Sequence, residues 1–407
     1  MPSSKGRPRI LGAGHEVDNG KPRARSQPPA YTRHMPATQP QYRPVTDPAA
    51  LIAATIRAIR PSDSEAAAGA DARQGRLTKP PGALGRLEGL ATRIAGITGQ
   101  SRPRLEQRLV IVAAGDHGVA AQGVSAFPAE VTAQMVANFL EGGAAINVLA
   151  SHAGARVRVV DAGVRSETPE HPDLLRLRLG PGTDDISVGP AMTRALAERA
   201  VAEGIALFER ECTAEGVHIV ALGEMGIGNS TSAAAIIAAV TALPPRSVTG
   251  RGTGVDDTHY ELKVAAIERA LEVNAPDRTD GLELLAALGG FEIGVLTGVY
   301  LAAAAAHVPA VVDGLISGAA ALIAEAIAPE VVDSFIASHR SVEPGHHAML
   351  EHLRLEPMLD LGMRLGEGSG AALGISLCVA ACRLLGEMAT FDEAGVSDSD
   401  VAVEPEA

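Results

Sequence analysis

Residues 217–243 read VHIVALGEMGIGNSTSAAAIIAAVTAL, and this stretch decides the fold of the chain. The apolar run Val217–Leu222 predicts a buried strand, and the Ala/Ile-rich run that follows predicts a helix. Between them lie the carboxylate of Glu224 and three glycines, at positions 223, 226 and 228. Glycine lets the backbone approach a ligand closely, and the first N–H groups of a helix have no partner within it. An ordinary capped strand–helix turn has the same outline, but the carboxylate and the glycines favour an anion-binding loop.

Composition and charge argue against several classes of function. The 407 residues are 46% hydrophobic but only 2% aromatic, without tryptophan, which predicts a core of small aliphatic side chains and argues against base stacking. The net charge is −13; residues 1–44 contain eight Lys or Arg and two Asp or Glu, a balance of +6 that leaves −19 for the rest. An acidic body has no electrostatic reason to hold nucleic acid or an anionic membrane.

The cysteines and the chain ends predict a cytoplasmic protein. Cys212, Cys378 and Cys382 form no CxxC pair, and we interpret them as reduced core thiols. No uninterrupted apolar stretch of about 18 residues predicts a membrane span. Residues 1–45 lack an apolar signal core and are rich in Arg, Pro and Ser, which predicts a disordered basic extension, with a transit peptide as the alternative. Residues 391–407 predict an acidic tail.

A strand–helix alternation runs through the middle of the chain. Besides the opening stretch, four apolar runs predict buried strands: RLVIVAAG, RVRVVDAG, PAVVDG and VVDSFIAS. Each precedes an Ala-rich or helix-patterned segment, which predicts an α/β fold with a parallel sheet buried on both faces. Ligands bind at the carboxyl ends of such strands. The polar residues predicted at those ends are Asp116, His117, Asp161, Glu224, Asp313 and His339.

Three further loops carry charged residues between prolines or glycines. Residues 76–85 form a Pro/Gly loop with Lys79, which is either a surface connector or a cover for an anionic ligand. The GRGTG loop at 250–254 precedes a helix that carries Lys263. The GEGSG turn contains Glu367, whose apolar neighbours would raise its pKa toward that of a general base, although a lone Glu there more often faces a helix N-terminus.

Several alternative chemistries match the sequence poorly. The histidines at 339, 346 and 347 do not have the spacing of a known zinc motif, and no GxSxG elbow occurs. GEMGIG has the order G-x-x-G-x-G, and no clear acidic residue closes the second strand about 20 residues later, which weakens dinucleotide binding. A nucleotide-dependent oxidoreductase and a non-catalytic nucleotide-binding protein stay open as alternatives.

The ordered motifs resemble one family over about residues 50–390. They are LTKPPGALGRLE, GDHGVAAQGVSAFPAEVTAQMVANFLEGGAAINVLA, ALGEMGIGNSTSAAAI, GRGTGVDD, GGFEIGVLTGVYLAAA, VVDGLISGAAAL and SHRSVEPGHHAMLEHLRLEPMLDLGMRLGEGSGAALGISL. The family is nicotinate-nucleotide–dimethylbenzimidazole phosphoribosyltransferase, which prepares the lower nucleotide of cobalamin. The basic extension departs from the family pattern and leaves the start site and the localisation in question.

The resemblance implies a reaction and its catalytic residues. Nicotinate mononucleotide and 5,6-dimethylbenzimidazole would give α-ribazole 5′-phosphate and nicotinate, with inversion at C1′ of the ribose. Glu367 in the GEGSG motif would act as the general base, and Glu224 would be a carboxylate at the reacting centre. The departing pyridinium is already a cationic leaving group, so neither a metal nor a cofactor is implied. Which lower-ligand base is preferred is left open.

The resemblance also implies the residues that contact the substrates. Those toward the benzimidazole are Ser125, Phe127, Gln134 and Leu365. Those against the substrates or around the nucleotide are Met225, Gly226, Asn229, Ser230, Thr231, Arg251, Gly252, Lys263, Asp313, Gly314 and Ser341. The alternative, purely structural interpretations are that Phe127 is plain core and that Asp313 only caps its own helix.

The family fold implies two domains and a dimer. A large Rossmann-like α/β domain would span residues 101–344, and a small helical domain would combine residues 46–100 with about 345–390. In the family a homodimer forms in which the small domain of one subunit helps to cover the site of the other. That arrangement would give Lys79 and Arg86 a ligand-facing role.

Overall fold

A computed structural model describes residues 44–252 and 254–397. Predictions about residues 1–43, Thr253 and 398–407 lie outside this part of the chain. Its strands are β1 (Arg108–Gly115), β2 (Arg156–Gly163), β3 (Leu174–Arg176), β4 (Ile219–Met225), β5 (Ala310–Val312) and β6 (Phe335–Ala337). They form one sheet in the order β3-β2-β1-β4-β5-β6, and every neighbouring pair is parallel. The predicted parallel α/β fold is therefore confirmed.

Helices connect and cover the strands. They are α1 (Pro48–Ala58), α2 (Ser64–Gln74), α3 (Arg86–Thr98), α4 (Glu130–Leu140), α5 (Ala145–His152), α6 (Arg194–Glu215), α7 (Asn229–Thr241), α8 (Pro245–Val248), α9 (Asp257–Asn274), α10 (Gly281–Leu288), α11 (Phe291–Ala305), α12 (Leu315–Ile327), α13 (Pro344–His352), α14 (Ser369–Glu387) and α15 (Phe391–Ala394). Short 3-10 helices occupy Gly118–Gln122 and Pro329–Ser334. The last helix, α15, falls in the segment predicted as an acidic tail.

The sheet is buried on both faces, as the apolar runs predict. In β1, Leu109 and Ile111 belong to the hydrophobic cluster on one face, whereas Val110 and Val112 belong to the cluster on the other. Side chains alternate between the two faces along a strand, so continuous apolar runs are the pattern of a central strand covered on both sides.

Small residues let the helices approach closely. A Cβ on Gly204 of α6 would overlap the carbonyl group of Val295 in α11, and a Cβ on Gly298 would overlap that of Val201. The two helices therefore pack nearly backbone to backbone, which is how an aromatic-poor chain can fill its interior.

Helices from the two ends of the described chain meet beside the sheet. Ala70 of α2, Ala91 and Ala95 of α3, and Ala381 and Leu385 of α14 form a separate small cluster. This contact supports the small helical domain predicted from the two chain ends, and the domain division stays a proposal.

One helix in the described residues, α14, is long and apolar enough by composition to cross a membrane. It packs on α3, α5 and β4, and 56% of its most apolar window is buried, as is common for a core helix of a globular protein. Two of the three thiols, Cys378 and Cys382, are buried on this helix; Cys212 is only partly buried, and none of the three is in a disulfide.

Candidate active site

The candidate site lies where the strand order reverses, at the carboxyl ends of β1, β4 and β5. Ligands of open parallel sheets bind at such a switch point, because the loops that leave adjacent strands diverge there. Glu224 is the penultimate residue of β4, and Asp313 immediately follows β5. The turn of residues 366–368, just before α14, lies across the end of β4.

Gly223 makes the contact between the strand and the turn possible. A Cβ on Gly223 would overlap the carbonyl group of Glu367 and lie 2.6 Å from the backbone nitrogen of Gly368. From the other side, a Cβ on Gly366 would lie 2.5 Å from Oε1 of Glu224. The two acidic glycine loops of the sequence, GEMG and GEGSG, therefore belong to one site.

Glu224 is a buried acid in the centre of this site. Only 6% of its surface is exposed, and the side-chain amide of Asn229, at the start of α7, donates a hydrogen bond to it. Burial raises the pKa of Glu224 to about 8, and the neighbouring carboxylates of Asp313 and Glu292 act in the same direction, against the effect of Asn229. Its proton is consequently held far more firmly than that of an exposed glutamate.

Asp313 anchors the turn that carries Glu367. Its Oδ1 accepts from the backbone N–H of Ala371 at 2.8 Å, and its Oδ2 accepts from that of Gly368 at 3.2 Å. Burial raises the pKa of Asp313 to about 7, although these backbone hydrogen bonds act in the opposite direction. The interpretation of Asp313 as a cap of its own helix, α12, is wrong: its carboxylate caps α14, far along the chain.

Glu367 is held in an unusual backbone conformation. Its φ of +61° lies in the left-handed region, as do those of Gly366 (+82°) and Gly368 (+85°). Its side chain is buried, and its Oε2 has no hydrogen-bond partner within residues 44–252 and 254–397. Burial raises the pKa of Glu367, while the backbone N–H of Ile146 lowers it. The carboxylate therefore keeps one acceptor atom free at a buried position.

A second group of predicted residues forms an anion loop beside α7. The ammonium group of Lys263 is buried and donates to Oγ of Ser230 at 3.0 Å and to the carbonyl oxygen of Gly250 at 3.2 Å. Gly252 lies against both side chains, since a Cβ there would be 3.0 Å from Ser230 Oγ and 3.2 Å from Lys263 Nζ. Thr231, also in the first turn of α7, is fully buried with an unpartnered hydroxyl.

The contacts of Arg251 hold its side chain away from Lys263. Its guanidinium donates to the carboxylate of Asp257 at 2.5 Å and to the carbonyl oxygen of Val255 at 2.9 Å, both in the same loop and helix start. The structure therefore does not bring this side chain to Lys263, and its nucleotide-binding role stays a prediction.

The residues predicted to bind the base are open to solvent or nearly so. Phe127 is 50% exposed and Leu365 is 56% exposed, so the interpretation of Phe127 as plain core is wrong. Gln134 is exposed, and Ser125 is half-buried, with its hydroxyl accepting from the backbone N–H of Phe127. Met225 is half-buried and packs against the core beneath the site.

Three other predicted residues have clear local contacts, whereas Gly314 has open space around it. Gly226 lies against β1, where a Cβ would overlap the carbonyl oxygen of Gly115, and Gly314 precedes α12 with free space around it. Ser341 is buried, and its backbone N–H donates to Nδ1 of His346 at 3.1 Å. Lys79 pairs with Glu88 at 2.8 Å, within its own loop and helix start.

Arg86 contacts the stretch that leads to the Glu367 turn. Its guanidinium lies 3.4 Å from the Glu356 carboxylate and donates to the carbonyl oxygen of Pro357 at 2.9 Å. Neither it nor Lys79 contacts the acidic group around Glu224 within this chain, and their ligand-facing role stays a prediction.

In one buried network the sequence indicates His117 as a strand-end residue but not its partners, Glu292 and Ser232. Nε2 of His117 lies 2.6 Å from the carboxylate of Glu292, and Nδ1 lies 2.9 Å from the hydroxyl of Ser232. Glu292 is fully buried near the start of α11, and its charge raises the pKa of Glu224. A glutamate inside the otherwise apolar stretch GFEIGVLTG is the one available signal in the sequence, because a buried charge requires a partner.

No group of three or more His, Cys, Asp or Glu side chains within residues 44–252 and 254–397 is arranged to hold a metal ion.

Comparisons with known proteins point to one family. The family model described as "Phosphoribosyltransferase" matches residues 59–396. Over 347 residues the chain is 60% identical to the nicotinate-nucleotide–dimethylbenzimidazole phosphoribosyltransferase of Roseiflexus sp. (strain RS-1), covering 85% of this chain and 98% of that protein. It is 58% identical to the protein of the same name from Chloroflexus aggregans, covering 86% of this chain and 99% of the relative.

A solved structure agrees in fold. The crystal structure of the protein of that name from Thermus thermophilus superposes with a TM-score of 0.78 at 48% identity, covering 83% of this chain and all of the other.

Proposed function

This chain belongs to the nicotinate-nucleotide–dimethylbenzimidazole phosphoribosyltransferase family and is a phosphoribosyltransferase, and from that premise we propose its substrates and mechanism. It transfers the 5-phosphoribosyl group from nicotinate mononucleotide to 5,6-dimethylbenzimidazole, giving α-ribazole 5′-phosphate and nicotinate for the nucleotide loop of cobalamin. The observation that carries the proposal is the contact of Gly223 with the Glu367 turn, which unites three buried acids, Glu224, Asp313 and Glu367, at the switch point of the sheet.

The reaction is a displacement at C1′ of the ribose. One imidazole nitrogen of the base attacks C1′ from the face opposite the nicotinate, and the bond from C1′ to the pyridinium nitrogen breaks. The bonding electrons return to the ring, which leaves with a neutral pyridine nitrogen and needs no proton. The β-nucleotide becomes an α-nucleotide because the attack inverts the centre.

Glu367 is the general base in this mechanism. It takes the proton from the second imidazole nitrogen, so that the product does not carry a charge on the new base. Burial raises its pKa, which makes it a stronger base than an exposed glutamate, and its Oε2 has no competing donor among the described residues.

Glu224 stabilises positive charge at the reacting centre. In the free protein its pKa of about 8 keeps it largely protonated at neutral pH. The pyridinium of the bound nucleotide is a cation, and a cation beside a buried carboxyl group favours its ionised form. The ionised group then stabilises the positive charge that develops on the ribose as the bond to nicotinate breaks.

The start of α7 and the loop around Lys263 hold the nucleotide. The hydroxyl of Ser230, in the first turn of α7, and the ammonium of Lys263 are donors of the kind that bind a phosphate. The backbone N–H groups of Asn229 and Thr231 in that turn already donate to the carbonyl oxygens of Gly226 and Gly228. Because α7 directly follows the loop of Glu224, one segment positions the phosphate and the reacting sugar together.

A direct assay tests the function. Purified protein is mixed with nicotinate mononucleotide and 5,6-dimethylbenzimidazole, and nicotinate and α-ribazole 5′-phosphate are measured by chromatography. We expect the Glu367→Gln variant to lose roughly 10²–10⁴-fold in rate, since its amide cannot take the proton. Glu351→Gln, at an exposed position on α13, is the matched control and keeps wild-type activity. Absence of product from wild type, or equal rates for wild type and Glu367→Gln, contradicts the proposal.

A competition assay with other benzimidazoles, purines and phenols, with identification of each product, determines which base is preferred.

The assembly and location that accompany this function are a homodimer in the cytoplasm. Phe127 and Leu365 support the dimer, because these two large apolar side chains of the predicted base pocket are at least half exposed in the single chain. Light scattering at micromolar concentration tests it, and a monomeric mass contradicts it.

A further inference from the structure

Glu343 accepts a hydrogen bond from a distant glycine loop instead of capping the helix that it precedes. It immediately precedes α13 at the N-cap position, yet its side chain makes no capping hydrogen bond to that helix. Its Oε1 instead accepts from the backbone N–H of Gly252, at 3.0 Å, in a distant part of the chain. A backbone N–H in a glycine loop is the type of donor that phosphate groups use.

The space around Glu343 is shaped by a glycine. A Cβ on Gly250 would overlap the Glu343 carboxylate and lie 2.9 Å from its Oε1, so the glycine provides the space that the carboxylate fills. Only 7% of the surface of Glu343 is exposed, and its Oε2 has no hydrogen-bond partner in the part of the chain that the structure describes. Among the described residues the carboxylate therefore accepts a single hydrogen bond, the one from Gly252, and its departure from this position breaks only that bond.

Lys263 provides the cation of the same pocket. Its ammonium group is buried and donates to two neutral acceptors, Ser230 and Gly250, and it forms no ion pair within 4.0 Å among the described residues. Burial lowers its pKa to about 8, and the charge of Glu343 opposes this shift. Glu343 is therefore the counter-charge of a lysine that has one ammonium hydrogen left for a ligand.

We propose that Glu343 is a resident anion, which holds the Gly252 N–H and balances Lys263 in the free protein, and which the 5′-phosphate of the nucleotide displaces on binding. The identity of the nucleotide rests on the proposed function; the competition itself concerns any phosphate. A phosphate dianion and a carboxylate cannot both be balanced by one ammonium group in a buried pocket, because each disfavours the charge of the other. Glu343 therefore sets the affinity for the phosphate by competing with it.

Replacing Glu343 by glutamine distinguishes competition with the phosphate from direct binding of the phosphate. Glu343→Gln keeps the size of the side chain and an oxygen that can accept from Gly252, but it removes the competing charge. Glu351→Gln, on the exposed side of the same α13, is the matched control. Unfolding curves of both variants establish that the fold is kept.

The test is equilibrium binding by calorimetry with three probes: inorganic phosphate, nicotinate mononucleotide and its nucleoside without the phosphate. We expect Glu343→Gln to bind both phosphate-containing probes roughly 5- to 50-fold more tightly than wild type, the range of a typical coupling between two sites. The nucleoside affinity and the Glu351→Gln values stay unchanged. An unchanged or weaker affinity of Glu343→Gln for inorganic phosphate, or an equal gain for the nucleoside, overturns the proposal. If inorganic phosphate behaves as expected but nicotinate mononucleotide does not bind, the competition stands and the proposed function fails.

Discussion

The backbone of Gly223 in β4 lies directly against the backbone of Glu367, so that a Cβ on the glycine would overlap the Glu367 carbonyl group. This contact brings together two acidic loops that are far apart in the sequence. Because nothing larger than hydrogen fits between them, the site depends on a glycine at this position.

The Gly223→Ala substitution separates the two loops. The new methyl group has to push the turn of Glu367 away from β4, and overpacking of this kind costs about 1–3 kcal/mol of unfolding free energy. A shift of about 1 Å at a catalytic group also costs on the order of 10²-fold in rate. The measurements are denaturant unfolding and turnover. Gly386→Ala, on α14 with no atom within 4 Å of the new methyl group, is the control and is at least as stable as wild type. Full activity of Gly223→Ala contradicts the contact.

The Glu224→Gln substitution changes how stability depends on pH. Folded Glu224 has a pKa of about 8, whereas an unfolded glutamate has its ordinary value near 4.5. Between these values the folded protein binds a proton that the unfolded chain has lost, so the wild type loses stability as the pH rises from about 4.5 to about 8. Glutamine cannot ionise and escapes this loss.

The expected difference follows from the size of the shift. At pH 9 the variant has the higher free energy of unfolding, by roughly 2–5 kcal/mol, and near pH 4.5 the two proteins are equally stable. Urea titrations at both pH values measure this. Glu351→Gln keeps the same stability as wild type at both pH values. A Glu224→Gln variant that is less stable than wild type at pH 9 would refute a buried carboxyl group with a raised pKa.

Glu367 has a left-handed backbone conformation. Comparing its alanine and glycine variants measures the free-energy cost of that conformation for a residue with a side chain. Both variants lack the carboxylate, so both lose activity alike. Alanine at a φ of +61° keeps the steric penalty of about 1–2 kcal/mol, whereas glycine does not have it. We therefore expect Glu367→Gly to be more stable than Glu367→Ala by about 1 kcal/mol, measured by chemical denaturation. Equal stabilities, or a more stable alanine variant, argue against the observed backbone conformation.

The pair of His117 and Glu292 is predicted to be a large contributor to stability. Glu292→Ala leaves a buried imidazole without its 2.6 Å partner and opens a cavity, which together cost roughly 3–5 kcal/mol. Glu292→Gln costs less, because an amide can still hydrogen-bond to the ring. Denaturant unfolding of both variants decides the point, and a loss below about 1 kcal/mol for the alanine variant would show that the pair is not important.

Much of the fold can be predicted because its signals are local. Each of the five apolar runs that lead to Asp116, Asp161, Glu224, Asp313 and the SHRS segment contains a strand that ends there or within a few residues. In the last run only Phe335–Ala337 is a strand, because the residues before it belong to the 3-10 helix Pro329–Ser334. The strand β3 has no such signal, because Leu174–Arg176 lies at the edge of the sheet, where two of its three residues are only partly buried and no continuous apolar run is required.

Partners of charged side chains are harder to predict. The sequence allows Lys79 to be part of a surface connector or of a ligand cover; in the structure it pairs with Glu88, nine residues later in the same segment. The sequence does not show the contacts of Glu343 and Glu292, because their partners, Gly252 and His117, lie on other elements. Only the order of the strands decides which of these loops become neighbours.

The sequence by itself determined the parallel α/β architecture, the acidic and glycine-rich loops at the strand ends, and the two glutamates of the site. Burial pattern, helix capping and turn formation depend on neighbouring residues, so they are visible in the chain. Only the tertiary structure decided that the Glu367 turn lies on Gly223, that Asp313 caps α14 and that Glu343 faces the Lys263 loop. These contacts join residues distant in sequence through close backbone approach, and burial of their charges shifts pKa values that an extended chain would leave at their ordinary values.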